Sequence, residues 1–213
     1  MGTRAPRYTI ILAAGEGTRM GSTTHQKVCY PIGGQPAVNR AIKIYNKCGI
    51  EQHILVVGAL AGQVIETVGS AFENVIFTYQ AQRLGTAHAA RQALKVLDGL
   101  QSEHDVLVVA GDRIIKPAGL EQLFDLFYRQ NLDLAVLAVP SRPVSNQGRL
   151  VLDASGGLLG IVEAADIRQR QVYRRLFEMA GQGLSFSTEK LLQMVKSGFA
   201  AGAHLPGEAK YET

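Results

Sequence analysis

Three glycines, Gly15, Gly17 and Gly21, crowd together in ILAAGEGTRMG, directly behind an apolar run. Backbone amides free of side-chain obstruction can surround phosphate oxygens at such a turn. Arg19 within the loop and Lys27 shortly after it add positive charge, and the loop-like PIGGQP follows at residues 31–36. Two familiar phosphate loops do not fit. A dinucleotide fingerprint needs glycine at the sixth position from Gly15, where Met20 stands, and an acid about twenty residues further on, which is absent. A P-loop needs Gly-Lys-Ser/Thr after four spacer residues, and that is absent too. Polyphosphate is the ligand class that remains, set against the plain alternative of a tight turn carrying a surface charge. Asp112, at the end of DVLVVAGD, is a carboxylate placed to hold Mg²⁺ beside phosphates, or else to cap a turn.

The elements that must position these groups follow from periodicity. Short apolar runs alternate with stretches whose apolar residues recur at helical spacing, which is the pattern of repeated βα units. Strands are expected at YTIILAA (8–14), HILVVGA (53–59), NVIFTYQ (74–80) and DVLVVAGD (105–112), with a fifth at LDLAVLAVP (132–140). The fourth scarcely alternates and reads as buried on both faces. Helices are expected over 37–48, closed by Gly49, and over 61–68, 85–97 and 119–131. After residue 140 the pattern changes to GRLVLDASGGLLGIVEA, two runs around a Ser-Gly-Gly turn that read as a β-hairpin. Such a chain predicts an α/β fold, a Rossmann-like, mostly parallel sheet flanked by helices. Its ligands are expected beyond the carboxyl ends of the strands, and the hairpin is expected to be an inserted lid. No linker or fixed-period repeat divides residues 1–213, which read as a single domain.

Composition narrows the class. The chain has 213 residues, 46% hydrophobic and 19% charged, with a formal net charge of +4, so disorder and a disulfide scaffold are excluded. No apolar run approaches the roughly 18 residues a membrane span requires, and no membrane partner is expected. Cys29 and Cys48 form no Cys-x-x-Cys pair, which suits a reducing cytoplasm. The arginines of RQRQVYRR (Arg168, Arg170, Arg174, Arg175) read as a solvated helix, since no stacking or groove-reading element accompanies them, and no nucleic-acid partner is expected.

The ordered set LAAGEGTRM, Lys27 and PIGGQP resembles the signature of the sugar-nucleotide pyrophosphorylases, a nucleotidyltransferase family. The resemblance is closest to the uridylyltransferase domain of the bacterial N-acetylglucosamine-1-phosphate uridyltransferases. It continues in order through YQAQRLGTAHAA, VVAGD and the hairpin, and more weakly through GEAKYET (207–213). What it implies is a nucleotide-diphospho-sugar transferase fold with a sugar-binding lid. The implied reaction joins UTP to a sugar 1-phosphate with Mg²⁺, giving a UDP-sugar, a UDP-N-acetylhexosamine in the closest relatives, and pyrophosphate. Arg19 and Lys27 would be the catalytic cations and Asp112 the metal ligand. Leu12, Ala13, Ala14, Gly15 and Gly17 would hold the nucleotide, and Gln80, Gly85 and Thr86 would read the base.

Thr86 also suits the N-cap of the following helix. Gly148 and Glu163 would contact the sugar. The chain departs from the pattern where Ala110 replaces a tyrosine, where Arg113 and Ile114 follow Asp112, and near Gly181–Gly183, where an asparagine is missing. The family's second metal ligand would fall beyond Thr213, so the domain is expected to be incomplete at its C-terminal end relative to the family. A non-catalytic nucleotide- or sugar-binding domain, or a cytidylyl- or guanylyltransferase of the same fold, is the competing expectation. Nothing in the sequence sets an oligomeric state.

Overall fold

The computed structural model describes residues 6–15, 24–99, 104–140, 148–154, 156–162 and 178. The chain divides into two compact units, Met1–Leu137 and Ala138–Thr213. In the first, the order is β1 (Tyr8–Ala13), the tiny strands β2 (Pro31–Ile32) and β3 (Gln35–Pro36), α1 (Ala37–Lys47), β4 (Gln52–Val57), α2 (Ala61–Gly69), β5 (Val75–Tyr79), α3 (Thr86–Asp98), β6 (Val106–Ala110) and α4 (Pro117–Arg129). A sheet of order β5-β4-β1-β6 is parallel throughout. The expected α/β architecture is therefore present. PIGGQP, read as a loop, closes instead into the antiparallel pair β2-β3, with Arg40 donating to the carbonyls of Ile32 and Gly33 across its turn.

Alternation along the central strands explains the layers. Ile11 and Ala13 of β1, Leu55 and Val57 of β4, and Leu107 and Val109 of β6 pack with Val38, Ile42, Tyr45, Val64, Val68, Leu120 and Phe124 of α1, α2 and α4. Their neighbours Tyr8, Ile10, Ile54 and Val56 face the other way, onto Ala89, Ala93 and Leu97 of α3. Among the described residues, α1, α2 and α4 thus cover one face and α3 the other. Burying such side chains on both sides of β1 and β4 stabilises each by about 1.5–3 kcal/mol per large residue. Helix α1 ends in a Schellman motif: Gly49 N–H donates to the Asn46 carbonyl and Ile50 N–H to the Tyr45 carbonyl at 3.1 Å, while Ile50 buries fully beside Tyr45.

Two expectations are corrected here. Strand β6 is not buried on both faces, since Val108 is 48% exposed. Helix α3 packs mainly on β4, β1 and β5, and at β6, the end of the sheet among the described residues, Val108 is left to solvent. LDLAVLAVP forms no strand, and Leu134 and Val139 are exposed. Its composition favours extended backbone, but a strand needs a partner edge, and among the described residues none pairs with it.

In the second unit, β7 (Arg149–Leu152) and β8 (Leu158–Val162) form the antiparallel hairpin expected from the sequence. Asp153 shapes its turn, its carboxylate accepting from Gly157 N–H at 2.7 Å. The arginine-rich run 168–175 lies outside the described residues.

Candidate active site

The carboxyl ends of β5, β4, β1 and β6 lie side by side, and the candidate residues follow them directly: Gln80 after β5, Ala14 and Gly15 after β1, Asp112 after β6. With parallel strands about 4.8 Å apart, β5 and β1 are separated by about 10 Å, enough to accommodate a base at one end and phosphates at the other. The edge is built for close backbone approach. A side-chain carbon at Gly58, which follows β4, would stand 2.9 Å from the Ala14 carbonyl oxygen, and Gly111 N–H donates to the Leu12 carbonyl at 2.9 Å. Leu12 and Ala13 turn their side chains into the two core layers, so only backbone remains for a ligand there.

Lys27 and Asp112 meet as an ion pair, Lys27 Nζ against Asp112 Oδ2. Lys27 opens a single 3-10 turn, Lys27–Cys29, after the glycine loop. Burial pushes the Asp112 carboxyl up, but the hydrogen bond and charge of Lys27, the charge of Arg113 and a backbone hydrogen bond outweigh it and hold the carboxyl below its ordinary range. Asp112 is thus an ionised oxygen donor. Among the described residues no group of three or more His, Cys, Asp or Glu side chains gathers around a metal position. One carboxylate fits Mg²⁺ nonetheless, because that ion commonly takes one or two protein carboxylates and completes its shell with substrate phosphates and water.

Sequence reading missed Gln26. Its side chain is buried and hydrogen-bonded at every turn: Nε2 donates to the Gly15 carbonyl at 2.9 Å and to the Ala59 carbonyl at 2.8 Å, and Oε1 accepts from Lys27 N–H at 2.7 Å. Its own N–H donates to Gln63 Oε1 at 2.5 Å. One amide therefore ties the start of the glycine loop to its end, and both to the β4-α2 connection. Leu60 in that connection holds the left-handed conformation at φ 54°, an unusual backbone for leucine. Nothing in the sequence around Gln26 signals this, since its partners are backbone groups distant along the chain.

At the other end of the edge, Gln80 is buried and its N–H extends the ladder to the Val57 carbonyl. Its Nε2 lies 3.2 Å from the Gly85 carbonyl and 3.0 Å from His88 Nδ1. Thr86 is not the N-cap: Gly85 occupies that position at φ 95°, a region glycine enters freely, and Thr86 is the first helical residue. Arg19 and Gly17 lie outside the described residues, as does Glu163. Gly148 precedes β7 in the second unit and is exposed. The described geometry thus brings together Lys27 and Asp112, and aligns Gly15, Gln80, Gly85 and Thr86 along the same sheet edge. A cavity of about 270 Å³ elsewhere, between β6 and α4, is lined by Val108, Phe124, Phe127 and Leu134 among others, and offers no phosphate-binding cation.

Comparison with known proteins follows the same lines. The family model for the MobA-like NTP transferase domain matches residues 9–195. The bifunctional protein GlmU of Cellvibrio japonicus is 40% identical over 163 residues, 76% of this chain and 34% of that protein. The GlmU of Geobacillus thermodenitrificans is 35% identical over 188 residues, 88% of this chain and 39% of that protein. The chain therefore spans well under half the length of these relatives. Among solved structures, UTP-bound UGPase from Acinetobacter baumannii superposes with a TM-score of 0.56 at 21% identity, covering 75% of this chain and 68% of that one. A UDP-glucose pyrophosphorylase complexed with UDP-glucose gives 0.53 at 20% identity, covering 75% and 69%. These two likenesses establish the nucleotidyltransferase fold. With its parallel sheet, its glycine-rich loop after β1 and a family match over most of its length, the chain belongs to the MobA-like NTP transferase domain family, within the sugar-nucleotidyltransferases and similar to GlmU.

Proposed function

We propose that this chain transfers a uridylyl group from UTP to a sugar 1-phosphate, releasing pyrophosphate and forming a UDP-sugar in the cytoplasm, with Mg²⁺ as cofactor. The observation that carries the reading is the meeting of Lys27 and Asp112 beside the glycine loop, a cation and a hard anionic donor at the carboxyl edge of a parallel sheet. Similarity to GlmU and the fold shared with a UTP-bound UGPase favour uracil and a sugar phosphate over other substrates of the fold.

The chemistry asks little of acids and bases. A sugar phosphate oxygen is already ionised at neutral pH, so attack on the α-phosphorus depends on alignment and on offsetting the repulsion between anions. Lys27, exposed enough to reach solvent, supplies charge where the incoming phosphate and the α-phosphate approach each other, and Arg19 is assigned to the β and γ phosphates. Gly15 and Gly17 are assigned to the nucleotide phosphates, and Gly148 and Glu163 to the sugar. Asp112 would hold Mg²⁺, which when bound neutralises charge building on the leaving pyrophosphate.

The deciding experiment measures pyrophosphate release from UTP with a panel of sugar 1-phosphates and Mg²⁺. Turnover with a hexosamine 1-phosphate is the expected result. Tight UTP binding with no turnover on any sugar phosphate would overturn catalysis in favour of a sensing domain, and preference for CTP or GTP would overturn the uridylyl assignment.

A further inference from the structure

Gln80 is expected to read a base because an amide both donates and accepts, yet in this chain its donors are already spent. The two hydrogens of Nε2 point at the Gly85 carbonyl, 3.2 Å away, and at His88 Nδ1, 3.0 Å away. The amide cannot be turned over, since that would set its oxygen against the Gly85 carbonyl oxygen. Nδ1 of His88 must therefore accept, and in a neutral imidazole the hydrogen then sits on Nε2. There it faces the side-chain amide of Gln92, 3.1 Å away. Oε1 of Gln80 is the remaining polar atom of its amide, and among the described residues no hydrogen bond to it is recorded.

We propose that His88 is a specificity-setting positioning residue: through Nδ1 it locks the Gln80 amide so that only its carbonyl oxygen faces the ligand. The site then selects a base with a hydrogen on the ring nitrogen opposite Oε1, such as the imide N–H of uracil. Cytosine presents a lone pair at that nitrogen, which leaves Oε1 unpaired and facing another acceptor. This rests on the reading of the edge as a nucleotide site and adds to it the group that fixes the direction of the reading. His88 touches Gln80, not the substrate, and stands on the first turn of α3, where the same helix carries Gly85 and Thr86 at its start.

The test measures UTP and CTP affinities, each with Mg²⁺, for the native chain and for His88→Ala, His88→Asn and His88→Gln. Asparagine places its oxygen where Nδ1 stood, whereas glutamine reaches the Nε2 position. Native protein is expected to favour UTP. His88→Ala and His88→Gln are expected to reduce the UTP-to-CTP ratio by at least about tenfold, the usual consequence of losing a satisfied polar orientation, and His88→Asn to restore it. A merely structural role would not separate asparagine from glutamine. If His88→Ala keeps the native ratio, or if asparagine and glutamine behave alike, the inference fails while the nucleotide reading stands. If the native chain binds neither nucleotide, the nucleotide reading fails first and takes the inference with it.

Discussion

Lys27 and Asp112 form the pair on which the chemistry turns, and their exposure decides what a substitution does. At 44% and 26% side-chain exposure the pair contributes little to folding, about 0–1 kcal/mol after solvent screening. Lys27→Ala is therefore expected to leave the melting temperature nearly unchanged while turnover falls about 100-fold or more, the typical loss for one charge-stabilising donor. A large loss of stability with intact turnover would place Lys27 outside the reaction. Asp112→Asn removes the anionic donor as well as the partner that holds Lys27 back from the substrate. Its expected signature is a steep rise in the Mg²⁺ concentration needed for UTP binding, read by titrating the metal in a thermal-shift assay. An unchanged metal requirement would count against Asp112 as ligand.

At the scale of elements, Gln26 joins the end of β1 to the Lys27 turn and to the β4-α2 connection. Gln26→Leu would leave the Gly15 and Ala59 carbonyls and the Lys27 N–H without the partner that the buried Gln26 side chain supplies. A loss of at least about 2 kcal/mol in urea unfolding is expected, together with weaker binding of any triphosphate. Native stability in that variant would mean that water replaces the amide. How far the elements were legible follows from the same physics. Strands β1, β4 and β5 and helices α1 to α4 were readable because local periodicity decides them, as was Gly49 as a terminator. The open face of β6 was not, since coverage by α3 depends on where that helix crosses the sheet. The 132–140 run misled for a related reason: β propensity describes a residue's preference, and pairing requires an available edge. Lys27 and Asp112 stood out by type and context, whereas Gln26 and His88 act through contacts with backbone and amide groups that no spacing rule reveals.

At the scale of the first unit, a buried histidine is expected to make the fold sensitive to acid. His53 of β4 is 1% exposed and lies between Thr9 of β1 and Asn46 of α1. The Thr9 hydroxyl meets Nδ1, and Nε2 donates to Asn46 Oδ1 at 2.6 Å, so the neutral ring is fully satisfied without a second proton. Burial pushes the imidazole down from its ordinary 6.5 to about 4. Between these values the unfolded chain binds the proton and the folded chain does not. Stability is consequently complete above about pH 6.5 and is lost as pH falls toward about 4, by about 2 kcal/mol between about pH 7.5 and about pH 5. The Asp112 contribution has the same sign but disappears lower, as pH falls below its ordinary 3.8, so the loss by about pH 5 belongs mainly to His53. Urea unfolding at the two pH values measures it, with His53→Gln as the control, since glutamine cannot titrate. The variant is expected to be less stable at about pH 7.5 yet to show a flatter pH dependence. Equal slopes for variant and native protein would show that another group carries the acid sensitivity, and that the Thr9–His53–Asn46 chain tolerates a proton.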